Sequence, residues 1–288
     1  MSSQLKESKI AFIGGGNMAA AIIGGLTVTG IAKQNIVVSE PWAVNRDKMA
    51  AQGLRVTTSN ADAARDAHLV ILAVKPQVAQ GVCRELADAW SSSSSSPLVI
   101  SIAAGITLAS LQAWFKPTGQ EGAAAPPHIV RVMPNTPALV GEGASGLFAA
   151  NDVSGAEREL ATALVRSVSK AVEWVDREEL IDVVTGLSGS GPAYFFAMVE
   201  HLVESATKLG LTREQATRLA TQTCLGAGKM LVESPEEPAQ LRKNVTSPNG
   251  TTAAALDSFE ASGFAGIVDK AVNAATTRGE ELGRTLGQ

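Results

Sequence analysis

Apolar residues in the first half of the chain fall into short runs, each followed by a segment with helical spacing. The runs KIAFIGGG, NIVVSEP, HLVILAVKP, PLVISIAAG and HIVRVMPN predict buried strands, and RVTTSN predicts a shorter extended segment. The segments between them predict helices, among them NMAAAIIGGLTVTG, WAVNRDKMAAQG, NADAARDA, QVAQGVCRELADAW and TLASLQAWF. Strands that alternate with helices over short links indicate a parallel sheet that is covered on both faces.

The pattern changes to helices alone after a last predicted strand, AVEWV. Long helical segments begin at GPAYFF and at LTREQA, where Thr212 and Gln215 have the spacing of a capping box. Further helices are predicted from about Thr252 to Ala261 and from about Gly266 to Leu286. The sequence therefore predicts an α/β domain over residues 1–176 and an all-α domain over residues 177–288.

Composition and charge exclude several classes of protein. Of the 288 residues, 45% are hydrophobic, and the net charge is −4. The 24 Lys and Arg residues are scattered along the sequence and do not form the basic stripe that is typical of nucleic-acid-binding proteins. No apolar stretch approaches the ~18 residues of a membrane span, and the polar start MSSQLKESKI does not resemble a secretory signal. We therefore expect a cytoplasmic protein with neither a nucleic-acid nor a membrane partner.

Cysteine and histidine are sparse, and two segments carry no periodic pattern. Cys83 and Cys224 lie far apart in helical patterns, which favours a reducing compartment, and the three histidines are too dispersed to predict a metal site. The serine run Ser91–Ser96 and the segment KPTGQEGAAAPP are predicted to be solvated loops.

A glycine motif follows the first predicted strand. Gly14, Gly16 and Ala19 form G-x-G-x-x-A at the start of a helix. The first glycine permits a tight turn, the second lets the backbone approach a pyrophosphate, and the small third residue lets helix and strand pack closely. The motif predicts a dinucleotide site of the Rossmann type, and close packing without a ligand is the alternative.

The second strand ends at Glu40, where a Rossmann fold contacts the adenosine ribose. A carboxylate there accepts hydrogen bonds from the ribose diol and repels a 2′-phosphate. Arg46 and Lys48 follow and could offset that repulsion. A solvated turn is the alternative interpretation of Glu40, and the choice between NAD and NADP stays open.

Three consecutive strand ends carry small or backbone-exposing residues. They are LAVKP at Leu72–Pro76, SIAAG with Ala103 and Ala104, and RVMPNTP with Met133–Thr136. Ligands of open α/β sheets bind beyond the carboxyl ends of the strands, so these ends predict a floor for a flat nicotinamide ring. Ordinary strand-to-helix turns are the alternative, and Lys75 could be either catalytic or structural.

Two segments rich in small polar residues open helices in the second half. TGLSGSGPAYF, Thr185–Phe195, favours an anion such as a carboxylate, or else forms an elbow between domains. VTSPNGTT opens another helix, and either Thr251 or Thr252 is expected to cap it. The donors of this second segment also suit a small anionic ligand.

Taken together, these segments resemble the pyrroline-5-carboxylate reductase family. The resemblance runs from FIGGGNMA through LAVKPQ, RVMPNTPALVGEG and GLSGSGPAYFF to QLRKNVTSPNGTTAAAL, and so covers nearly the whole chain. It implies an N-terminal Rossmann domain followed by an all-α dimerisation domain, with dimers that often assemble into decamers. The implied reaction, the last step of proline biosynthesis, reduces the C=N bond of 1-pyrroline-5-carboxylate to L-proline with NADPH or NADH.

The resemblance also implies the site residues. A substrate loop at Ser247, Pro248, Asn249, Gly250, Thr251 and Thr252 would hold the carboxylate, with the Thr252 hydroxyl at the ring nitrogen as the catalytic group. Cofactor contacts are implied at Ile13, Gly14, Gly15, Gly16, Asn17, Met18, Asn60, Ala73, Val74, Lys75, Pro76, Ile102, Ala103 and Ala104, and predicted at Glu40.

Two residues depart from the family pattern. Glu40 stands where the family often has a small polar residue, which leaves the cofactor preference open. Asn249 replaces a glycine of the usual S-P-G-G-x-T loop, and asparagine tolerates the left-handed backbone that such a turn needs.

Two other functions are compatible with parts of the pattern. A β-hydroxyacid dehydrogenase also joins a Rossmann domain to a helical one, but needs a lysine about one turn after the glycine-serine loop, where this chain has PAYFF. A non-catalytic sensor of nicotinamide redox state would have no need for the complete segment SPNGTT. The apolar helical faces beyond about Glu178 further predict an obligate homodimer.

Overall fold

A computed structural model describes residues 3–91, 96–116 and 126–287. The chain forms two compact units. Unit 1 comprises residues 1–189 together with 274–288, and unit 2 comprises residues 190–273. The division into domains at residues 1–176 and 177–288 stays a prediction. Residues 92–95 of the serine run and residues 117–125 of the KPTGQEGAAAPP segment lie outside the described residues.

Unit 1 contains an eight-stranded sheet with the order β3-β2-β1-β4-β5-β6-β7-β8. Neighbouring strands are parallel except for β6 and β7, which are antiparallel. The first six strands have the order of a Rossmann fold, which confirms the predicted α/β class. The strands are β1 Ile10–Ile13, β2 Ile36–Ser39, β3 Arg55–Thr57, β4 Leu69–Leu72, β5 Leu98–Ser101, β6 Ile129–Met133, β7 Gly143–Ala149 and β8 Ser169–Trp174.

Helices connect these strands and make up most of unit 2. The first eight are α1 Ser3–Glu7, α2 Asn17–Val28, α3 Ala43–Ala51, α4 Asn60–Ala64, α5 Pro76–Trp90, α6 Leu108–Trp114, α7 Gly155–Val165 and α8 Leu180–Val184. A π-helical turn, Thr185–Gly189, follows α8. The remaining helices are α9 Gly191–Lys208, α10 Arg213–Glu233, α11 Pro238–Asn244, α12 Thr251–Ala261 and α13 Phe264–Leu286.

The core of unit 1 lies on both faces of the sheet because successive side chains of a strand point to opposite sides. In β1, Ile10 and Phe12 belong to one buried cluster, whereas Ala11 and Ile13 belong to the other. Both faces are therefore apolar, which explains why these strands appear in the sequence as continuous apolar runs.

Most predicted elements are present, and several additional ones were not predicted. The pattern did not predict β7 or the helices α1, α7, α8 and α11. The predicted capping box of α10 is confirmed, since Gln215 N–H donates to Thr212 Oγ1 and Thr212 N–H donates to Gln215 Oε1. Pro192 lies in the first turn of α9, as predicted.

Unit 2 leaves most of its apolar side chains uncovered within one chain. Its buried residues are Gly191, Val203 and Ala216. Large side chains that would normally be covered are exposed, among them Phe196 at 68% and Leu225 at 64%. Apolar surface on this scale marks an interaction site. Within the described part of the chain, no helix combines the length and apolarity that a membrane crossing requires.

Candidate active site

The glycine motif forms a tight turn between β1 and α2. Gly14 has φ of +102°, and a Cβ there would lie 2.5 Å from the carbonyl oxygen of Ala73, so only glycine fits. By contrast, a Cβ at Gly16 would meet no described atom within 4 Å, and Gly16 is the N-cap of α2 without a side-chain cap. The buried Ala19 packs in the core. The turn thus leaves open space at a helix N-terminus, as pyrophosphate binding requires.

Glu40 is buried beside this turn and is 7% exposed. Its Oε2 accepts a hydrogen bond from Gly15 N–H at 2.7 Å, and its Oε1 accepts from Trp42 N–H at 2.9 Å. The alternative of a solvated turn is therefore wrong for this side chain. Arg46 lies close by, and its Nη1 donates to the carbonyl oxygens of Glu40 and Pro41.

Asn60 is tied to two neighbours at the same edge of the sheet. Its Oδ1 accepts from Ser39 Oγ at 2.7 Å, and its Nδ2 donates to Glu85 Oε2 at 2.7 Å. Ser39 is the last residue of β2, so Asn60 lies at the carboxyl end of that strand. Its predicted role as a cofactor contact is untested and stays a prediction.

The ends of β4, β5 and β6 lie side by side because these strands pair in parallel. Backbone hydrogen bonds fix the first two ends, from Ala73 N–H to Ile13 O at 2.8 Å and from Ile102 N–H to Leu72 O at 3.1 Å. Lys75 is the N-cap of α5 and its side chain is exposed. The three predicted strand ends therefore meet at one edge, while the roles of their residues in cofactor binding stay predictions.

The glycine-serine segment begins as a π-helical turn rather than an open loop. Thr185 Oγ1 donates to Ile181 O, and Ser188 Oγ donates to Val184 O, so both hydroxyls are used within the helix. The boundary between the two units falls at the end of this turn, after Gly189. Single π-helical turns are frequent at functional sites.

Asn135, which follows β6 within the predicted strand end RVMPNTP, is a buried polar residue whose side-chain contacts were not predicted. Its side chain is bonded to Ser188 O and to Ala144 N–H. The sequence signal was present, since asparagine in RVMPNTP stands two residues beyond a buried strand. The two partners, however, are not adjacent to it in the sequence.

In unit 2, the segment Ser247–Gly250 makes a turn that opens α12. Gly250 N–H donates to Ser247 O at 3.0 Å. Asn249 has φ of 58°, which confirms that it takes the left-handed conformation expected of it. Among the described residues it is the only non-glycine with positive φ.

Neither threonine of this segment caps the helix. The N-cap of α12 is Gly250, which has no side-chain cap, and Thr251 is already the first helical residue. The prediction that Thr251 or Thr252 caps α12 is therefore wrong. The first N–H groups of the helix are left without a side-chain acceptor in the described residues, and such groups favour an anion.

Cys83 is not suited to act as a nucleophile. Cys83 is completely buried among apolar residues of α5 and its neighbours, and burial raises the pKa of its thiol to about 12. Both cysteines are free. Among the described residues, no group of three or more His, Cys, Asp or Glu side chains could hold a metal ion.

Comparison with known proteins relates both parts of the chain to oxidoreductases. Residues 178–282 match the family model for pyrroline-5-carboxylate reductase dimerisation, and residues 9–105 match the model for NADP oxidoreductase, coenzyme F420-dependent. The pyrroline-5-carboxylate reductase of Pseudomonas aeruginosa is 50% identical over 285 residues, which cover 99% of this chain and 100% of that protein.

Solved structures agree with this similarity. A pyrroline-5-carboxylate reductase from Coxiella burnetii has a TM-score of 0.86 at 42% identity, covering 96% of this chain and 98% of that one. The Plasmodium falciparum pyrroline carboxylate reductase with NADP bound has a TM-score of 0.82 at 30% identity, covering 96% and 99%.

Proposed function

The chain belongs to the pyrroline-5-carboxylate reductase family, and we propose that it reduces the C=N bond of 1-pyrroline-5-carboxylate to L-proline by means of two helix N-termini. The first, at α2 in unit 1, holds a nicotinamide cofactor. The second, at α12 in unit 2, holds the substrate. The enzyme thereby carries out the last step of proline biosynthesis as an NAD(P)H-dependent oxidoreductase.

The residues of unit 1 fit a dinucleotide. Open space above Gly16 and the start of the 12-residue helix α2 suit a pyrophosphate, and Glu40 lies beside the loop where the adenosine ribose is expected. When bound, the cofactor supplies a hydride from C4 of its reduced nicotinamide ring. The ends of β4, β5 and β6 form the floor on which that ring is held. Both NADPH and NADH are compatible with these residues.

The uncapped start of α12 is the observation that carries the substrate assignment. The substrate has a carboxylate on the ring carbon that is bonded to its imine nitrogen. The Ser247–Thr252 segment offers backbone N–H groups at the helix start for the carboxylate, and the hydroxyl of Thr252 for the nitrogen. Pro248, Asn249 and Gly250 shape the turn that leaves these groups accessible.

Reduction of a cyclic imine depends more on the relative position of the cofactor and the substrate than on a strong acid in the active site. A protonated cyclic imine already accepts a hydride, which adds to the imine carbon while the nitrogen keeps its proton and becomes a secondary amine. Reduction makes that nitrogen a stronger base, and the hydroxyl of Thr252 donates a hydrogen bond to it or relays a proton in the proposed mechanism. The protein must hold C4 of the nicotinamide ring and the imine carbon of the substrate ~3–3.5 Å apart.

A coupled assay tests this function. We expect the purified protein to oxidise NADPH or NADH with 1-pyrroline-5-carboxylate and to leave NAD(P)⁺ unreduced with 3-hydroxy acids. Activity with a hydroxy acid alone would instead identify a β-hydroxyacid dehydrogenase. Cofactor binding without turnover of either substrate would identify a redox sensor.

The family match to a dimerisation domain indicates an oligomer, and we propose an obligate homodimer formed through residues beyond about Glu178. The exposed apolar side chains of unit 2, such as Phe196 and Leu225, support this assembly. Sedimentation at assay concentration should give a dimer or a multiple of it, up to a decamer. A folded, active monomer would contradict the proposal.

We also propose that the enzyme works in the cytoplasm. Its two cysteines are free, which suits a reducing compartment. Cell fractionation followed by the coupled assay tests this location, and activity in a secreted or membrane fraction would contradict it.

A further inference from the structure

Asn135 makes two hydrogen bonds with opposite requirements. Its Oδ1 accepts from the N–H of Ala144 at 2.9 Å, and its Nδ2 donates to the carbonyl oxygen of Ser188 at 3.1 Å. One partner is a donor and the other an acceptor, and the amide of Asn135 in this orientation serves both. The side chain is 7% exposed, so losing it would leave both backbone groups poorly solvated.

These two bonds join three elements of unit 1. Asn135 follows β6, Ala144 belongs to β7, and Ser188 belongs to the π-helical turn. One side chain therefore attaches the segment after β6 both to the strand beside it and to the turn.

Close packing reinforces the attachment. A Cβ at Gly189 would lie 2.6 Å from Cε of Met133, so the backbone of the π-helical turn rests on the last side chain of β6. The hydrogen bond from Asn135 to Ser188 keeps the turn in this place. Met133 and Asn135 thus hold the turn at two points, one apolar and one polar.

The attached segment is the third of the three strand ends that form the nicotinamide floor. We propose that Asn135 is a positioning residue for hydride transfer, which fixes the end of β6 so that the nicotinamide ring is held in its reactive position. This inference rests on the proposed function. It adds a residue that makes no direct contact with the reacting atoms.

Asn135→Ala tests the proposal through the nicotinamide ring itself. Misplacement of a reacting group by ~1 Å can lower a rate by ~100-fold, so we expect kcat/KM to fall by ~10- to 100-fold. The affinity for the reduced cofactor should weaken. The affinity for the matching ADP-ribose fragment, which lacks nicotinamide, should be unchanged. With cofactor deuterated at C4, the isotope effect on kcat should increase as hydride transfer becomes slower.

Thr162→Val is the matched control. Thr162 Oγ1 accepts a hydrogen bond from Trp174 Nε1 at 2.9 Å, in the same unit but between α7 and β8. The same hydroxyl donates to Arg158 O at 2.7 Å, so the replacement removes two side-chain hydrogen bonds, as Asn135→Ala does, and keeps the branched shape. It should lower the Tm without changing the cofactor affinity or the isotope effect.

Asn135→Asp keeps the proposal testable if the alanine variant does not fold. A carboxylate of the same shape still accepts from Ala144 N–H but cannot donate to Ser188 O. This variant should therefore also lower kcat/KM and weaken binding of the reduced cofactor, while the affinity for the ADP-ribose fragment stays unchanged. If either folded variant has a lower Tm than the wild type but the same cofactor affinity and the same isotope effect, Asn135 has only a structural role and the proposal is wrong. A wild type inactive on 1-pyrroline-5-carboxylate would instead overturn the proposed function, and the comparison of cofactor with its fragment would still test Asn135.

Discussion

The carboxylate of Glu40 accepts a hydrogen bond at 2.7 Å from the backbone N–H of Gly15, the middle glycine of the turn between β1 and α2. The acid at the end of β2 therefore holds the turn that is proposed to receive the pyrophosphate. A negative charge here also opposes a 2′-phosphate on the ribose. We therefore expect one side chain to affect both the shape of the loop and the choice of cofactor.

Replacing Glu40 should change that choice. We expect Glu40→Ser to raise the NADPH/NADH ratio of kcat/KM by ~10-fold, equivalent to ~1.4 kcal/mol, because it removes a charge opposed to the phosphate. Steady-state kinetics with both cofactors measure the ratio. Glu40→Gln keeps the shape and isolates the charge. An unchanged ratio in both variants would show that Glu40 does not face the ribose.

The two threonines at the start of α12 should differ sharply. Thr252→Ala is expected to lower kcat/KM by ~10- to 1,000-fold, the range between one lost hydrogen bond and one lost transition-state donor. Cofactor affinity should barely change. Because Gly250 is the N-cap, the matched variant Thr251→Ala should cost little stability or activity. Full activity in both variants would show that the hydroxyls have no catalytic role, and the reverse result would exchange their roles.

Adjacent glycines in α2 should respond to alanine with opposite signs. A Cβ at Gly25 would lie 2.3 Å from the carbonyl oxygen of Ser167, so Gly25→Ala should destabilise the protein by ~1–3 kcal/mol. A Cβ at Gly24 would meet no described atom within 4 Å, so Gly24→Ala should stabilise it by ~1 kcal/mol through helix propensity. Thermal unfolding measures both. Shifts of the same sign would contradict the packing described here.

The carboxyl of Asp182 should oppose folding at neutral pH. Desolvation raises its pKa above the ordinary 3.8, and Glu280 and Glu178 raise it further against the opposing effect of Arg131. Because the pKa of this carboxyl is higher in the folded state than in the unfolded state, its ionisation destabilises the folded protein at pH values above the folded-state pKa. This destabilisation disappears as the pH falls below 3.8, where the carboxyl is protonated in both states. Asp182→Asn should therefore raise the Tm at about pH 7 and lose this advantage near about pH 3.5. A lower Tm at about pH 7 would contradict this.

Glu157 provides the contrasting case. Burial raises the pKa of its carboxyl, but hydrogen bonds from Ser154 and His128 outweigh that effect and hold the pKa below the ordinary 4.5. Its stabilisation is therefore present above 4.5 and is lost as pH falls through the folded-state pKa. Glu157→Gln should lower the Tm at about pH 7 and change it less in acid, the opposite of Asp182→Asn. An equal Tm difference at both pH values would be inconsistent with this linkage.

The sequence predicted the elements whose signals are local. Strands such as β1 and β4 are buried on both faces and appear as apolar runs. The conformation of Asn249 was also predictable, because it depends on residue type and turn geometry. β7 was missed because it contains Gly143 and Gly146, where a Cβ would lie 2.6 Å from Ser169 Oγ and 2.7 Å from Val184 Cγ2, respectively. In a sequence pattern such glycines usually indicate turns, whereas in β7 they permit neighbouring residues to pack closely against the strand.

What the sequence could not predict depends on partners that are distant in the chain. Asn135 and Ser188 are 53 residues apart, and Glu40 and Gly15 are 25 apart. Residue type indicated that Glu40 faces a cofactor or solvent, but not that its oxygens are already bonded. The prediction of a threonine cap on α12 was wrong for a different reason. The helix begins at Thr251, and a shift of one residue moves the cap from a threonine to Gly250.

The C-terminal part of α13 belongs to unit 1, so unit 1 cannot fold completely until that part of the chain has been synthesised. Unit 1 includes residues 274–288, and a Cβ at Gly283 would lie 2.7 Å from the carbonyl oxygen of Gly105. Gly105 follows Ala103 and Ala104 at the end of β5. Chains emerge from the ribosome N-terminus first, so the central strands are available to pair long before Gly283 exists. The backbone beside the proposed nicotinamide floor is therefore covered only after the segment around Gly283 has been synthesised, well after the strands of the sheet.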